Sequence, residues 1–427
     1  MKWIRQPAAT MDAGREAYGD LWTLRLLAGT DFVMVSDPNL IEQVFTADPA
    51  IVHGGDANMI ATALLGEKSV LLLDEQEHTR MRGLLMPPFH EERTRRYRGL
   101  MERIADEEID SWPLQEPMPM LPRMQTITLN VIMTTIFGVT GGPPQERLGT
   151  RIRNLLEWGA NPMRMGRLHL THRRGKPPPR SFLKVCDPFD EAIFEEIERA
   201  RRDPRLEERD DVLAMLLQAQ HADGSPMTDR ELRDTLATLL IQGHTSTGTA
   251  LAWALERLMR HPEALERLKA EAQTDREDYL DAVVYETLRL RPPLPMVARR
   301  VHQQFQLGEH DLEPGTLIAP CSYLVHRRED IYPEPQRFRP ERFLEQPAGK
   351  YTWFAFGGGA RHCIGRSFAT YEIKAVLRTI ALRARLAPAE QADEKIVRRG
   401  ILFSPSAGAK AVLEERVPSS GAANVAA

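Results

Sequence analysis

Two hydrophobic periods succeed one another along this chain. Just after Gly19, the segments L-W-T-L-R-L and F-V-M-V-S alternate apolar and polar positions and predict short strands. A Gly-Thr-Asp turn and a helix start at Ser36-Asp37-Pro38 bound them. Apolar residues then recur at helical spacing through residues 91–110, 124–137, 146–158, 184–202 and 228–260, with charged residues between them. Thr228-Asp-Arg-Glu231 reads as a capping box, and the pattern after it runs unbroken to His261-Pro262. This predicts a helix of roughly thirty residues, about 48 Å long at 1.5 Å per residue, which has to cross the molecule. The basic, proline-rich residues 163–180 predict an exposed, mobile connection, either a lid or a solvated loop. From Phe305 strand-like pieces and proline turns alternate until Trp353, and residues 367–384 return to helix. The expected fold is mainly α with small β-sheets, one large domain over residues 1–415, and a disordered tail at 416–427.

A length of 427 residues with 42% hydrophobic content supports a large buried core. The formal net charge of -4 argues against a nucleic-acid binder. Cys186, Cys321 and Cys363 are far apart with no C-x-x-C pair, which excludes a disulfide framework and cysteine-rich metal clusters. The first ten residues lack the apolar run of a signal peptide, and no later stretch approaches about 18 uninterrupted apolar residues. A cytoplasmic protein without a membrane anchor is expected.

The chemistry concentrates in F-A-F-G-G-G-A-R-H-C-I-G, Phe354 to Gly365. Cys363 stands just before a predicted helix, whose free N–H groups and positive end are expected to lower the thiol pKa and favour a metal-binding thiolate. Gly357, Gly358 and Gly359 are expected to let the main chain approach a flat ligand. Phe356 is placed to cover the sulfur.

This loop resembles the haem-binding loop of the cytochrome P-450 family of haem-thiolate monooxygenases, soluble bacterial type. The motif F-x-x-G-x-R-x-C-x-G is matched at Phe356, Gly359, Arg361, Cys363 and Gly365. The resemblance implies a cytochrome P-450 fold with the long helix crossing the haem. It also implies haem b with an axial Cys363 thiolate, which favours O–O cleavage. Further motifs fit the same order. Glu286 and Arg289 stand three apart on one helical face, where they can pair. F-R-P-E-R-F at Phe338–Phe343 resembles the family's F-x-P-x-R-F, whose arginine, here Arg342, completes a structural Glu-Arg-Arg cluster. By resemblance, His78, Arg82, Arg299 and Arg361 hold the haem propionates. Gly243, Thr247, Ala355, Phe356, Gly357, Gly365 and Ala369 are implied as further cofactor contacts.

The centre of the long helix, L-L-I-Q-G-H-T-S-T-G-T-A-L-A-W, resembles the family's oxygen-binding A-G-x-(E/D)-T-(T/S), aligned at Gly243 and Thr247. It departs in three places. Gln242 replaces the small residue, Thr245 the acid, and Ser246 the threonine that steers protons to dioxygen. Without the acid, a relay has to use water, Gln242, Thr245, Ser246 or the substrate. The alternative is a Ser246 hydroxyl bonded back to its own helix carbonyl at i−4.

These readings predict a monomeric monooxygenase that activates O2 and hydroxylates or epoxidises an apolar small molecule. Electrons come from a separate ferredoxin and ferredoxin reductase, or a flavodoxin, since no flavin domain is present. Arg361, His362 and Arg366 are candidate contacts for an acidic donor. The alternatives are a haem-thiolate peroxygenase or isomerase, or a haem protein without turnover. By resemblance the substrate pocket is walled by residues 54–75 and 163–180, Leu239, Gln242, Met296, Val297 and Ile401 to Phe403.

Overall fold

The computed structural model describes residues 3, 6–25, 31–138 and 142–418. Its axis is the helix Asp229–Met259, 31 residues long. The expected capping box is formed: the Glu231 N–H donates to Thr228 Oγ1 at 3.2 Å, and Glu231 Oε2 accepts from the Thr228 N–H at 2.9 Å. This central helix packs along Met120–Phe137, which ends at Gly138 in the left-handed region at φ +65. The approach is close because two positions lack a side chain. A Cβ on Gly243 would lie 3.0 Å from Ile132 Cγ1, and one on Gly248 3.1 Å from the backbone nitrogen of Gln125. The Thr128 hydroxyl donates across the gap to the His244 carbonyl at 3.0 Å. Helices Pro262–Ala272, Asp278–Leu290 and Arg366–Arg383 pack on the central helix elsewhere, and Arg98–Asp110 packs on Arg366–Arg383.

A five-stranded sheet flanks this helical body, in the order Leu21–Arg25, Asp31–Val35, Leu317–Pro320, Arg299–Val301, Val52–His53. Asp31–Val35 and Leu317–Pro320 run parallel; the other pairs are antiparallel. Three smaller sheets complete a single, mostly helical domain.

Several expectations need correction. Residues 91–110 form two helices, Glu91–Arg96 and Arg98–Asp110, separated at Tyr97. Residues 163–180 are not a loop throughout. Pro162–Arg173 is a helix, started by Asn161, whose Oδ1 accepts from the Met163 and Arg164 N–H groups at 3.0 and 3.2 Å. Only residues 174–179 lack regular structure, and 174–178 are exposed. Between Pro320 and Trp353 the described chain forms turns and the short helices Ser322–Val325 and Arg342–Glu345, because Pro333, Pro335, Pro340 and Pro347 cannot donate to a ladder. Arg416, expected in the tail, is the last residue of strand Lys410–Arg416, paired with Ala384–Pro388. The expected tail from residue 419, and the Gly29-Thr30 turn, lie outside the described residues.

Candidate functional site: a deep cysteine under an open helix face

Between Glu231 and Met259 the central helix is buried except at Leu239, Gln242, Gly243, Thr245 and Ser246. Leu239, Gln242, Gly243 and Ser246 follow the i, i+3, i+4, i+7 spacing of one face. An open patch halfway along an otherwise covered helix lines an internal space rather than the outer surface. Gln242 is the most open of the five, and its amide makes no hydrogen bond among the described residues. The hydroxyls nearby turn inward. Thr245 Oγ1 donates to the Ile241 carbonyl at 3.2 Å and Ser246 Oγ to the Gln242 carbonyl at 3.3 Å. Thr247 Oγ1 donates to the Gly243 carbonyl at 3.4 Å, and Thr247 is itself buried. The i−4 alternative for Ser246 is the arrangement found. Gly243 belongs to the open face and is also required for packing on Ile132, whereas Thr247 is buried.

Cys363 has the same double character. Its surface is open, yet protein surrounds it on all sides, and burial pushes its thiol pKa up. The Gly365 N–H, Arg82 and Arg366 oppose that rise without cancelling it. The lowering expected from the helix start is therefore outweighed by desolvation, and a bound cation would favour the thiolate. The loop is pinned by the Cys363 N–H donating to the Phe356 carbonyl at 2.9 Å and by the Ala369 N–H donating to Gly365 at 2.8 Å. Gly357 and Gly359 have φ of +70 and +67, conformations that favour glycine. The close approach that Gly358 and Gly359 permit is to the protein itself. A Cβ on Gly358 would meet the Phe45 ring at 2.3 Å, and one on Gly359 the Phe45 carbonyl at 2.1 Å. Ala355, Phe356, Gly357, Gly365 and Ala369 are all half-buried.

Four basic side chains gather beside this space. His78 and Arg82, one turn apart on helix Glu75–Leu85, make no side-chain hydrogen bond or ion pair among the described residues. Burial, and then Arg361 and Arg82, push the His78 pKa down to about 4. Arg299, buried at the start of the interior strand Arg299–Val301, donates to the Ala298 carbonyl at 2.9 Å and the Gly358 carbonyl at 3.4 Å. Burial and the repulsion of Arg361 depress its pKa to about 10. Arg361 differs from the expectation. It pairs with the Asp74 carboxylate and donates to the Leu73 carbonyl, so part of its charge is already answered. Asp74 also accepts from the N–H groups of Gly54, Gly55 and Asp56, each at 2.9 Å. Arg361 and Arg299 thus share the field of one carboxylate, while Arg82 stands close enough to Arg361 to repel it. Uncompensated buried charge costs several kcal/mol per ion, so an anionic ligand suits this corner. A thiol, cations without acid partners and an open helix face fit haem with its two propionates.

Behind the cysteine loop lies the expected cluster. Arg289 Nε and Nη2 grip Glu286 at 2.6 and 2.9 Å, and Arg342 Nε reaches the same carboxylate at 3.1 Å. Glu286 and Arg289 are fully buried. Sequence reading missed His326. Arg289 donates to its carbonyl at 2.6 Å, and its Nε2 accepts the Phe354 N–H at 3.0 Å. The ring therefore joins the ion cluster to the loop that carries Cys363. Burial, then Arg289 and Arg327, push its pKa down to about 3, and burial holds His244 at about 4. Both are neutral in the fold but titrate near 6.5 once exposed. Stability is therefore full above pH 6.5. As pH falls toward 4, the unfolded chain binds a proton at each of these two histidines, as at His78, that the folded one refuses, and each site costs up to about 1.4 kcal/mol per pH unit. Urea midpoints should fall across that range, and His326→Gln should make the slope shallower. Parallel slopes would mean that His326 does not titrate this way.

A mostly helical body around one long internal helix, with a cysteine loop facing an enclosed space, defines the class of a haem-thiolate enzyme. The cytochrome P450 family profile matches residues 1–410. A Mycobacterium tuberculosis protein named cytochrome P450 135B1 is 35% identical over 420 residues, covering 95% of this chain and 87% of that one. Another from the same organism, named cytochrome P450 137, is 36% identical over 393 residues, covering 92% and 83%. The solved structure of a cyanobacterial CYP120A1 with bound retinoic acid aligns with TM-score 0.83 at 21% identity, covering 95% of this chain and 94% of that one. The chain belongs to the cytochrome P450 family and is an oxidoreductase of the monooxygenase type. No helix among the described residues is long and apolar enough to cross a membrane.

Proposed function

We propose that Cys363 is the axial ligand of a haem, and that the enzyme inserts one atom of dioxygen into an apolar substrate using electrons from a separate ferredoxin-type donor. The observation that carries this reading is Cys363 itself, open on one side although enclosed by protein, beside arginines without acid partners. When bound, haem supplies dioxygen activation, and a thiolate ligand favours O–O cleavage. His78, Arg82 and Arg299 would hold its propionates, with Arg361 bridging to Asp74. Phe356, which faces the Trp353 ring at 6.1 Å and the Arg366 guanidinium at 6.0 Å, shields the sulfur from water.

Leu239 and Gln242 open into the enclosed space, and Met296 and Val297 are half-buried, so these support the apolar pocket wall. Phe403 does not. It is buried, and its carbonyl accepts the Trp253 indole N–H at 3.0 Å. For donor docking, Arg366 is exposed and His362 half-buried, whereas the Arg361 guanidinium is turned toward Asp74.

Proton delivery is assigned to Ser246, Thr245 and Gln242, the open polar residues of the central helix. Ser246 has to release its bond to the Gln242 carbonyl to hand on a proton. Ser246→Ala is expected to lower product per NADPH severalfold and to raise hydrogen peroxide release, because water can replace part of the lost proton transfer. Unchanged coupling would remove Ser246 from the relay. The back-bonded Thr245 and Ser246, with no carboxylate between them, favour one second reading, a haem-thiolate enzyme driven by peroxide. Turnover with hydrogen peroxide, and none with ferredoxin, reductase, NADPH and oxygen, would establish it.

A further inference from the structure

We propose that His53, Asp56 and His302 form a binding site for one divalent transition-metal ion of the zinc type, separate from the cysteine site. Their ligand atoms all lie within 4.8 Å of one another. His53 ends strand Val52–His53, which pairs with Arg299–Val301, and His302 follows directly on that second strand. The His302 N–H donates to the Ile51 carbonyl at 2.7 Å, which holds the two backbones together. The two imidazoles therefore leave neighbouring strands and stack, with centroids 4.2 Å apart and planes 12° from parallel. Asp56 opens the 3-10 turn Asp56–Ala61, and its carboxylate lies 3.3 Å from His53 Nδ1.

The surroundings favour a cation. Glu75 Oε1 stands 3.1 Å from His53 Nε2. Its backbone sits at φ +48, a region that side-chain-bearing residues rarely occupy, at the start of helix Glu75–Leu85. Neither Glu75 nor Asp56 has a lysine or arginine partner among the described residues, while neighbouring Asp74 is answered by Arg361. Two carboxylates without a basic partner beside two imidazoles make a pocket whose charge a divalent ion neutralises. Two nitrogens and the Asp56 oxygen suit zinc, nickel or cobalt, with Glu75 holding the other ring nitrogen of His53. Magnesium and calcium select all-oxygen sites. Bonds of about 2.1 Å in tetrahedral geometry set ligand atoms about 3.4 Å apart, so closure needs a shift of roughly 1 Å or more. Asp56 and His302, the more exposed members, can supply it while buried His53 stays fixed. The ion would tie the turn after His53 to the strand that carries Arg299.

The test uses untagged holoprotein stripped with EDTA and titrated calorimetrically with zinc chloride, then with magnesium chloride. One zinc equivalent, no magnesium heat and a zinc-dependent rise in Tm are expected. His302→Ala and Asp56→Asn should each weaken zinc binding at least about tenfold and cancel that rise, while keeping the metal-free Tm. Zinc binding of wild-type strength in both variants, or no zinc bound by the wild type, would overturn the proposal.

Discussion

Cys363→Ala is expected to yield a folded chain that no longer shows the red-shifted carbon monoxide band of thiolate-bound haem and turns over more than about 100-fold more slowly. Removing mere supporting partners of a metal ligand already costs about 10- to 100-fold, and this change removes the ligand. Folding should survive because the sulfur borders open space and the bond that pins the loop, Cys363 N–H to the Phe356 carbonyl at 2.9 Å, is made by the backbone. The other two cysteines provide the contrast. Burial pushes both Cys186 and Cys321 up to about 12, and Cys186 sits beside the Asp190 carboxylate, which disfavours a thiolate further. Cys186→Ala and Cys321→Ala should leave the spectrum intact. A Cys363→Ala protein with an unaltered thiolate spectrum and undiminished turnover would disprove the assignment of the ligand.

The parts of this architecture that are local in sequence were legible there. Glu286 and Arg289 are three apart on one helix, and the capping box at Thr228 sets the start of the central helix, so spacing alone predicts both. What escaped notice depends on contacts between distant segments. His326 lies 37 residues from the Arg289 that bonds its carbonyl, and no pattern around it distinguishes it from any buried histidine. Asp74 organises the turn at Gly54 and Gly55, and Phe45 fills the space beside Gly358 and Gly359; both become visible only after the chain is folded. The glycines of the cysteine loop were correctly read as necessary but for an incomplete reason, since Phe45 already forbids a side chain at two of them. The helix Pro162–Arg173 had a readable start in Asn161-Pro162. The basic and proline-rich composition beyond it concealed that signal. At Ser246 the sequence left two hydroxyl geometries open, because an i−4 carbonyl is within reach of any helical serine.

Glu286→Gln is expected to cost more stability than any substitution on the open face of the central helix. The amide keeps the shape of the carboxylate but not its charge, leaving the Arg289 and Arg342 guanidiniums buried without an anion. Breaking a buried pair in this way costs about 3–5 kcal/mol, against a total stability of about 5–15 kcal/mol for a typical protein. The damage should also reach the cofactor. Glu286 accepts the Arg339 N–H at 2.8 Å as well, and Arg289 holds the His326 carbonyl and the Pro335 carbonyl at 2.6 and 2.8 Å. His326 in turn accepts the Phe354 N–H two residues from Phe356, whose carbonyl pins Cys363. A loosened cluster therefore releases the cysteine loop first. In a urea titration of Glu286→Gln, loss of the haem spectrum should precede loss of helical circular dichroism, with both midpoints below those of the wild type. Coincident midpoints at the wild-type value would show that the cluster neither stabilises the fold nor positions Cys363.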